Sequence, residues 1–91
     1  MKSASLRTKK GIIELELALE NDRVSHIKIT GDFFIYPEEA LEKLEQKIIG
    51  ISNDREELKK TIHQFYTENT ISTPGITQDD WINVIIKALT S

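Results

Sequence analysis

The chain contains no cysteine, which excludes disulfides, thiolate nucleophiles and thiolate ligands for zinc or iron–sulfur clusters together. Its four glycines, Gly11, Gly31, Gly50 and Gly75, stand alone, so no glycine-rich loop is available to cradle phosphates. No serine lies in a Gly-x-Ser-x-Gly turn, which removes the usual exposed serine nucleophile. His26 and His63 fall in no metal-ligand spacing; they are expected on an exposed strand position and on a helix surface. No apolar run approaches the roughly 18 residues of a membrane-spanning helix. Nor does an apolar stretch follow Lys2 as in a secretory signal. A cytoplasmic protein without membrane contact is expected.

What is present is ordinary for a globular protein: 38% hydrophobic and 30% charged residues in a chain of 91, expected to form one domain over residues 1–91. The net charge of −3 hides an uneven distribution. The first ten residues hold Lys2, Arg7, Lys9 and Lys10 and no acid, whereas the remainder sets eight basic side chains against fifteen acidic ones. An acidic body argues against nucleic-acid binding, which requires cations to displace counterions. The basic N-terminal segment is expected to be solvated, with contact to phosphate or an acidic partner as the other role for Arg7, Lys9 and Lys10.

Ile13, Leu15, Leu17 and Leu19 alternate with Glu14, Glu16 and Ala18, the period of a strand with one buried face. Asn21-Asp22 supplies hairpin chemistry, and Val24, Ile27, Ile29, Phe33 and Ile35 follow. Val24 is out of phase with the rest, which predicts a bulge or an irregular start near Ser25-His26. Gly31 is expected to kink this stretch or divide it into two strands. Pro37, with Glu38 and Glu39 behind it, predicts the start of a helix with an inward stripe of Ala40, Leu41, Leu44 and Ile48, ended at Gly50. Asn53 and Glu56 predict a capping box for a second helix that buries Leu58, Ile62 and Phe65 and runs to about Glu68. Thr77 is the expected cap of a third, with Ile76 and Trp81 as its hydrophobic staple and Trp81, Ile85 and Ala88 inward. The fold class is therefore α+β: a small antiparallel sheet of two or three strands followed by three helices packed on one face.

Glu38, Glu39, Glu42 and Glu45 are interleaved with Lys43 and Lys47, the mixing of a solvated helix face. Phe65-Tyr66 reads as one core residue beside one at the rim. Gly31-Asp32-Phe33-Phe34 is less easily absorbed, because neighbouring residues of an extended chain point to opposite sides. A bend that packs both aromatics is expected; otherwise one of the two covers an edge, packs under a helix or is left for a partner. Asp32 is expected to be solvated, to cap, or to pair with Lys9 or Lys10.

Lys10-Gly11-Ile12-Ile13-Glu14-Leu15, Asn21-Asp22-Arg23-Val24, Ile27-Lys28-Ile29-Thr30-Gly31-Asp32-Phe33-Phe34 and the Pro37–Gly50 helix together resemble the C-terminal accessory domain of lipoate-protein ligases. The match is best over residues 8–50. The resemblance implies an enzyme subunit without a complete active site. It would be an accessory subunit in a heterodimer with a large catalytic lipoate-protein ligase chain. The pair would activate lipoate with ATP to lipoyl-AMP and transfer lipoyl to a lysine of a carrier domain, in 2-oxoacid dehydrogenases or the glycine cleavage H protein. ATP with Mg and lipoate would bind in the partner, and this chain alone would hold no cofactor. No catalytic residue carries over. Gly31, Asp32, Phe33 and Phe34 carry over as family markers, with partner contact or folding as their role. The general shape is also that of sulfur-transfer and iron–sulfur scaffold proteins of the SufE and NifU kind, but those act through cysteine. An interaction or regulatory domain unrelated to lipoylation is the remaining alternative.

Overall fold

In the computed structural model, which describes residues 1–91, three antiparallel strands precede three helices. Strand β1 spans Lys2–Thr8, β2 Gly11–Glu20 and β3 Arg23–Asp32, in the spatial order β1-β2-β3. Asn21 and Asp22 adopt φ of 54° and 63°, the left-handed pair that a two-residue hairpin requires. The register sets Leu15 between Ala4 and Ile29, and Leu17 between Lys2 and Ile27. Ile13, Leu15, Leu17, Ile27 and Ile29 thus share one buried face. Ser3, Ser5, Glu14, Glu16, Lys28 and Thr30 occupy the other, which nothing covers.

The expected bulge is present. Ala18 pairs with His26 but Leu19 pairs with Val24, so Ser25 is the extra residue. Its hydroxyl donates to the Ala18 carbonyl at 3.2 Å. The extra residue restores the phase, and Val24 becomes almost fully buried.

The third strand differs from expectation. Gly31 does not divide the second half of the sheet; it lies within β3, and the additional strand is the basic segment Lys2–Thr8. Only Ala4 and Leu6 are apolar on the inward positions of β1, too short an alternation to distinguish a strand from a solvated tail. Gly31 is required for its own reason. Its φ is 135°, and a side chain there would overlap the Ile12 carbonyl oxygen of the neighbouring strand.

All three helices lie on the buried face of the sheet. Helix α1 (Ala40–Ile48) packs on β3, α3 (Gln78–Leu89) on β1 and β2, and α2 (Arg55–Glu68) against both other helices. Pro37 does not open α1 as expected. Pro37–Glu39 form a tight turn in which the Ala40 and Leu41 N–H groups donate three residues back, to Pro37 and Glu38, and the α-helix starts at Ala40. Ala40, Leu44 and Ile48 are buried and Leu41 sits at the rim. Gly50, with φ 91°, follows the helix as expected and donates its N–H to Val24.

The cap of α2 is Asp54 rather than Asn53. Its carboxylate accepts from the Glu56 and Glu57 N–H groups at 3.0 and 3.4 Å, adding negative charge at a helix N-terminus. Thr77 caps α3 in a reciprocal box with Asp80. Twenty-one apolar residues form one core, and no polar or charged residue is buried with them. No side chain of this core is ionisable.

Candidate functional site: a basic hairpin beside an aromatic corner

The separate sequence candidates converge at one end of the sheet. Arg7 pairs with Ile12, and Ile12 with Asp32, so the three side chains form one row across the uncovered face. Around this row, Arg7, Thr8, Lys9, Gly11, Ile12 and Asp32 line a shallow depression of about 410 Å³. Asp32 is exposed and pairs with neither Lys9 nor Lys10; the one salt bridge of the chain joins Lys47 to Glu68. The Lys10 stem lies against the α2–α3 loop, where a side chain at Gly75 would collide with it.

The expected bend that packs both phenylalanines is not formed: the chain stays extended here, and Phe33 and Phe34 point to opposite sides. Phe33 is half-buried and meets the Trp81 ring edge-to-face, with centroids 5.5 Å apart and planes at 83°. Phe34 is 67% exposed. The alternation continues through buried Ile35 to Tyr36, which is 58% exposed. Two large aromatic side chains thus point outward, two residues apart, on a segment that is held firmly. Tyr36 and Ser72 exchange backbone hydrogen bonds at 2.9 and 3.0 Å, fastening the segment to the α2–α3 loop.

A polar chain beneath supports the corner. The Trp81 indole N–H donates to the Tyr66 hydroxyl at 2.8 Å, and the Tyr66 and Thr73 hydroxyls are 2.8 Å apart. Thr73 donates its proton to the Ile76 carbonyl at 3.0 Å, so Tyr66 must donate to Thr73. Burial pushes the Tyr66 phenol above its usual 10.0; the hydrogen bonds with Thr73 and Trp81 oppose this, and the Asp80 charge adds to it.

No carboxylate is paired with a base or nucleophile at the corner, and no group of three His, Asp or Glu side chains converges in the chain. A nucleotide would find Arg7, Lys9 and Lys10 but no enclosing walls, so these residues do not make a nucleotide pocket by themselves. His26 and His63 are exposed, on β3 and α2. Glu45 departs from the solvated-face expectation: its carboxylate accepts from the Ile29 N–H at 2.7 Å. Tyr36 was not singled out by sequence, although its place two residues beyond Phe34 in an alternating segment carried the signal. The largest depression, about 500 Å³, lies on the open sheet face between Ser3, Ser5, Glu14, Glu16, Lys28 and Thr30; it is polar and flat-floored, with no converging pair.

A family model described as the bacterial lipoate protein ligase C-terminus matches residues 2–85. The chain belongs to this family. It is 36% identical over 85 residues to the lipoate-protein ligase A subunit 2 of Thermoplasma acidophilum, an alignment that covers 93% of this chain and 87% of the relative. Among solved structures it is similar to a chain from an archaeal lipoylation system, a bipartite lipoate protein ligase and its E2 lipoyl domain from Thermoplasma acidophilum. The TM-score is 0.83 at 35% identity, covering 93% of this chain and 94% of that one. The α+β fold expected from the sequence is that of this relative.

Proposed function

We propose that this chain is the accessory subunit of a bipartite lipoate-protein ligase and acts in protein lipoylation by docking on a large catalytic chain. The observation that carries this reading is the fold-wide similarity to subunit 2 of an archaeal lipoate-protein ligase. The absence of any buried polar residue agrees with a role in shaping a neighbour's site. The partner holds ATP, with Mg, and lipoate. There the lipoate carboxylate displaces pyrophosphate from ATP to give lipoyl-AMP, and a carrier-domain lysine then displaces AMP. The carriers are lipoyl domains of 2-oxoacid dehydrogenases or the glycine cleavage H protein, in the cytoplasm.

An accessory subunit assists the first step by closing over the partner's pocket, excluding water and ordering loops around the phosphates. Shielding matters because lipoyl-AMP is a mixed anhydride that water would cleave. Phe34 and Tyr36 serve as the apolar anchors of the docking surface, since exposed aromatics on a rigid segment bind with little entropic loss. Gly31 and Phe33 hold that segment in place, and Asp32, Arg7, Lys9 and Lys10 form its polar rim.

The test is reconstitution. The catalytic chain, given lipoate and ATP, should release pyrophosphate and form lipoyl-AMP only when this chain is added. Transfer from ready-made lipoyl-AMP should need it less. Adenylation at full rate by the catalytic chain alone would refute the proposal.

A further inference from the structure

The chain treats the two edges of its sheet very differently. On the β3 edge, Val24 donates to the Ile51 carbonyl at 2.9 Å and accepts from the Gly50 N–H at 2.7 Å. Further along, the Glu45 carboxylate occupies the Ile29 N–H. Two segments of the chain have thus been spent on closing that edge.

The β1 edge is open. Thr8 and Gly11 flank a two-residue turn and so form a hydrogen-bonded pair. Alternation makes Leu6, Ala4 and Lys2 the bonded partners of Ile13, Leu15 and Leu17. The backbone N–H and C=O groups of Ser3, Ser5 and Arg7 therefore face away from the sheet. No loop or helix gives them a backbone partner. The Lys87 ammonium alone reaches this row, donating to the Ser5 carbonyl at 3.2 Å. The seven residues of β1 contain no proline or bulge, and of its inward side chains only Lys2, at the very start of the strand, is charged. Proline, bulges and a run of inward charges are among the devices by which edges are kept from pairing, and the cations that β1 does carry, Lys2 and Arg7, would repel another basic strand rather than an acidic one.

We infer that β1 receives an acidic, extended segment of the catalytic chain, so that the sheet continues across the subunit boundary. This rests on the accessory-subunit reading above. The occupant is chosen by charge. Lys2, Arg7, Lys9 and Lys10 lie along β1 and its turn, and Lys87 stands beside Ser5, in a chain whose residues after the tenth are strongly acidic. A second copy of β1 would bring cations against cations, whereas an acidic strand is steered in and held in register. Backbone pairing would supply the affinity and the alternate side chains the specificity.

Ser5→Pro tests the edge. Its ring removes one outward N–H and leaves the inward ladder intact, a replacement that edge strands tolerate. The melting temperature should stay within a few degrees, and Kd for the catalytic chain should rise about tenfold or more. Ser5→Ala, which keeps the N–H, should bind like the unaltered chain. By residue-resolved hydrogen exchange, the amides of Ser3, Ser5 and Arg7 in the unaltered chain should slow when the catalytic chain is added. This measurement decides the matter if Ser5→Pro fails to fold. Unaltered binding by a folded Ser5→Pro chain, with no slowing of those amides, overturns the edge inference and leaves the accessory role standing. Failure of the unaltered chain to bind the catalytic chain at all overturns both. A concentration-dependent homodimer that Ser5→Pro abolishes would make a second copy the occupant and overturn the inference as well.

Discussion

Truncating Phe33 and Phe34 one at a time separates folding from docking within two adjacent residues. Removing a fully buried phenylalanine costs about 3–5 kcal/mol. Phe33 is half-buried and loses its edge-to-face contact with Trp81, so Phe33→Ala should cost about 2–3 kcal/mol. In a domain of this size each kcal/mol lowers the melting temperature by about 4–8 °C, which predicts a fall of roughly 10–20 °C. Phe34 is already 67% exposed, so Phe34→Ala removes little buried surface and should lower the melting temperature by no more than a few degrees. On the catalytic chain the order reverses. A rigid aromatic anchor is worth about 2 kcal/mol or more at an interface, roughly thirtyfold in Kd. Melting by circular dichroism and titration calorimetry against the catalytic chain measure the two effects. If Phe34→Ala melts as early as Phe33→Ala and binds unchanged, the aromatic corner is a folding element and its assignment as an anchor is wrong.

Two further predictions concern what supports the corner. Tyr66→Phe leaves the Trp81 indole N–H without its acceptor and should cost about 1–2 kcal/mol at neutral pH, read from urea denaturation. The phenol titrates higher in the folded chain than in the unfolded one, so above pH 10 the unfolded state loses its proton first and stability falls as pH rises toward the folded value. Tyr66→Phe should flatten that alkaline decline, and an unchanged slope would assign the decline to other groups. Gly31→Ala should destabilise by about 3 kcal/mol or more, because the new Cβ meets the Ile12 carbonyl in a backbone conformation closed to alanine; a denaturation midpoint close to the unaltered chain's would show that the strand pair gives way cheaply.

Most of the architecture was legible in the sequence because each element carried a strong local signal. The out-of-phase Val24 marked the irregularity that became the bulge, and Leu58, Ile62 and Phe65 marked the inner face of α2. The failures share a physical cause: two local solutions lay close in energy. Asn53 and Asp54 are both competent caps by residue type, and it is Asp54 that takes the extended cap conformation and accepts from Glu56 and Glu57. Pro37 fits a turn as well as a helix start. β1 was missed because half its inward positions are polar, and its strand character comes from pairing with β2 rather than from its own pattern. At the corner, sequence established only that two phenylalanines on a regular strand must diverge; it did not show whether the chain would bend to pack both, or which one would turn inward. That depended on Trp81, 48 positions after Phe33 in the chain and brought to it by the packing of α3 on the sheet.

The two unusual surface features are not independent. The open β1 edge runs into the Lys9-Lys10 turn, and that turn is packed on Gly75 and set one strand pair from Asp32, beside the outward Phe34. The same end of the sheet thus presents a directional, cationic strand edge and two exposed aromatic side chains, the proposed anchor. The two respond to different conditions: added salt weakens the first and leaves the second nearly untouched. A strand edge specifies orientation, because backbone pairing holds only in register, while two aromatics contribute area without specifying direction. An accessory subunit acting as proposed, by seating itself over a neighbour's pocket, would use both kinds of contact. It does not need the large apolar interface of an obligate dimer, and apart from Met1 this chain exposes only Phe34, Tyr36 and Ile49 among its large hydrophobic residues.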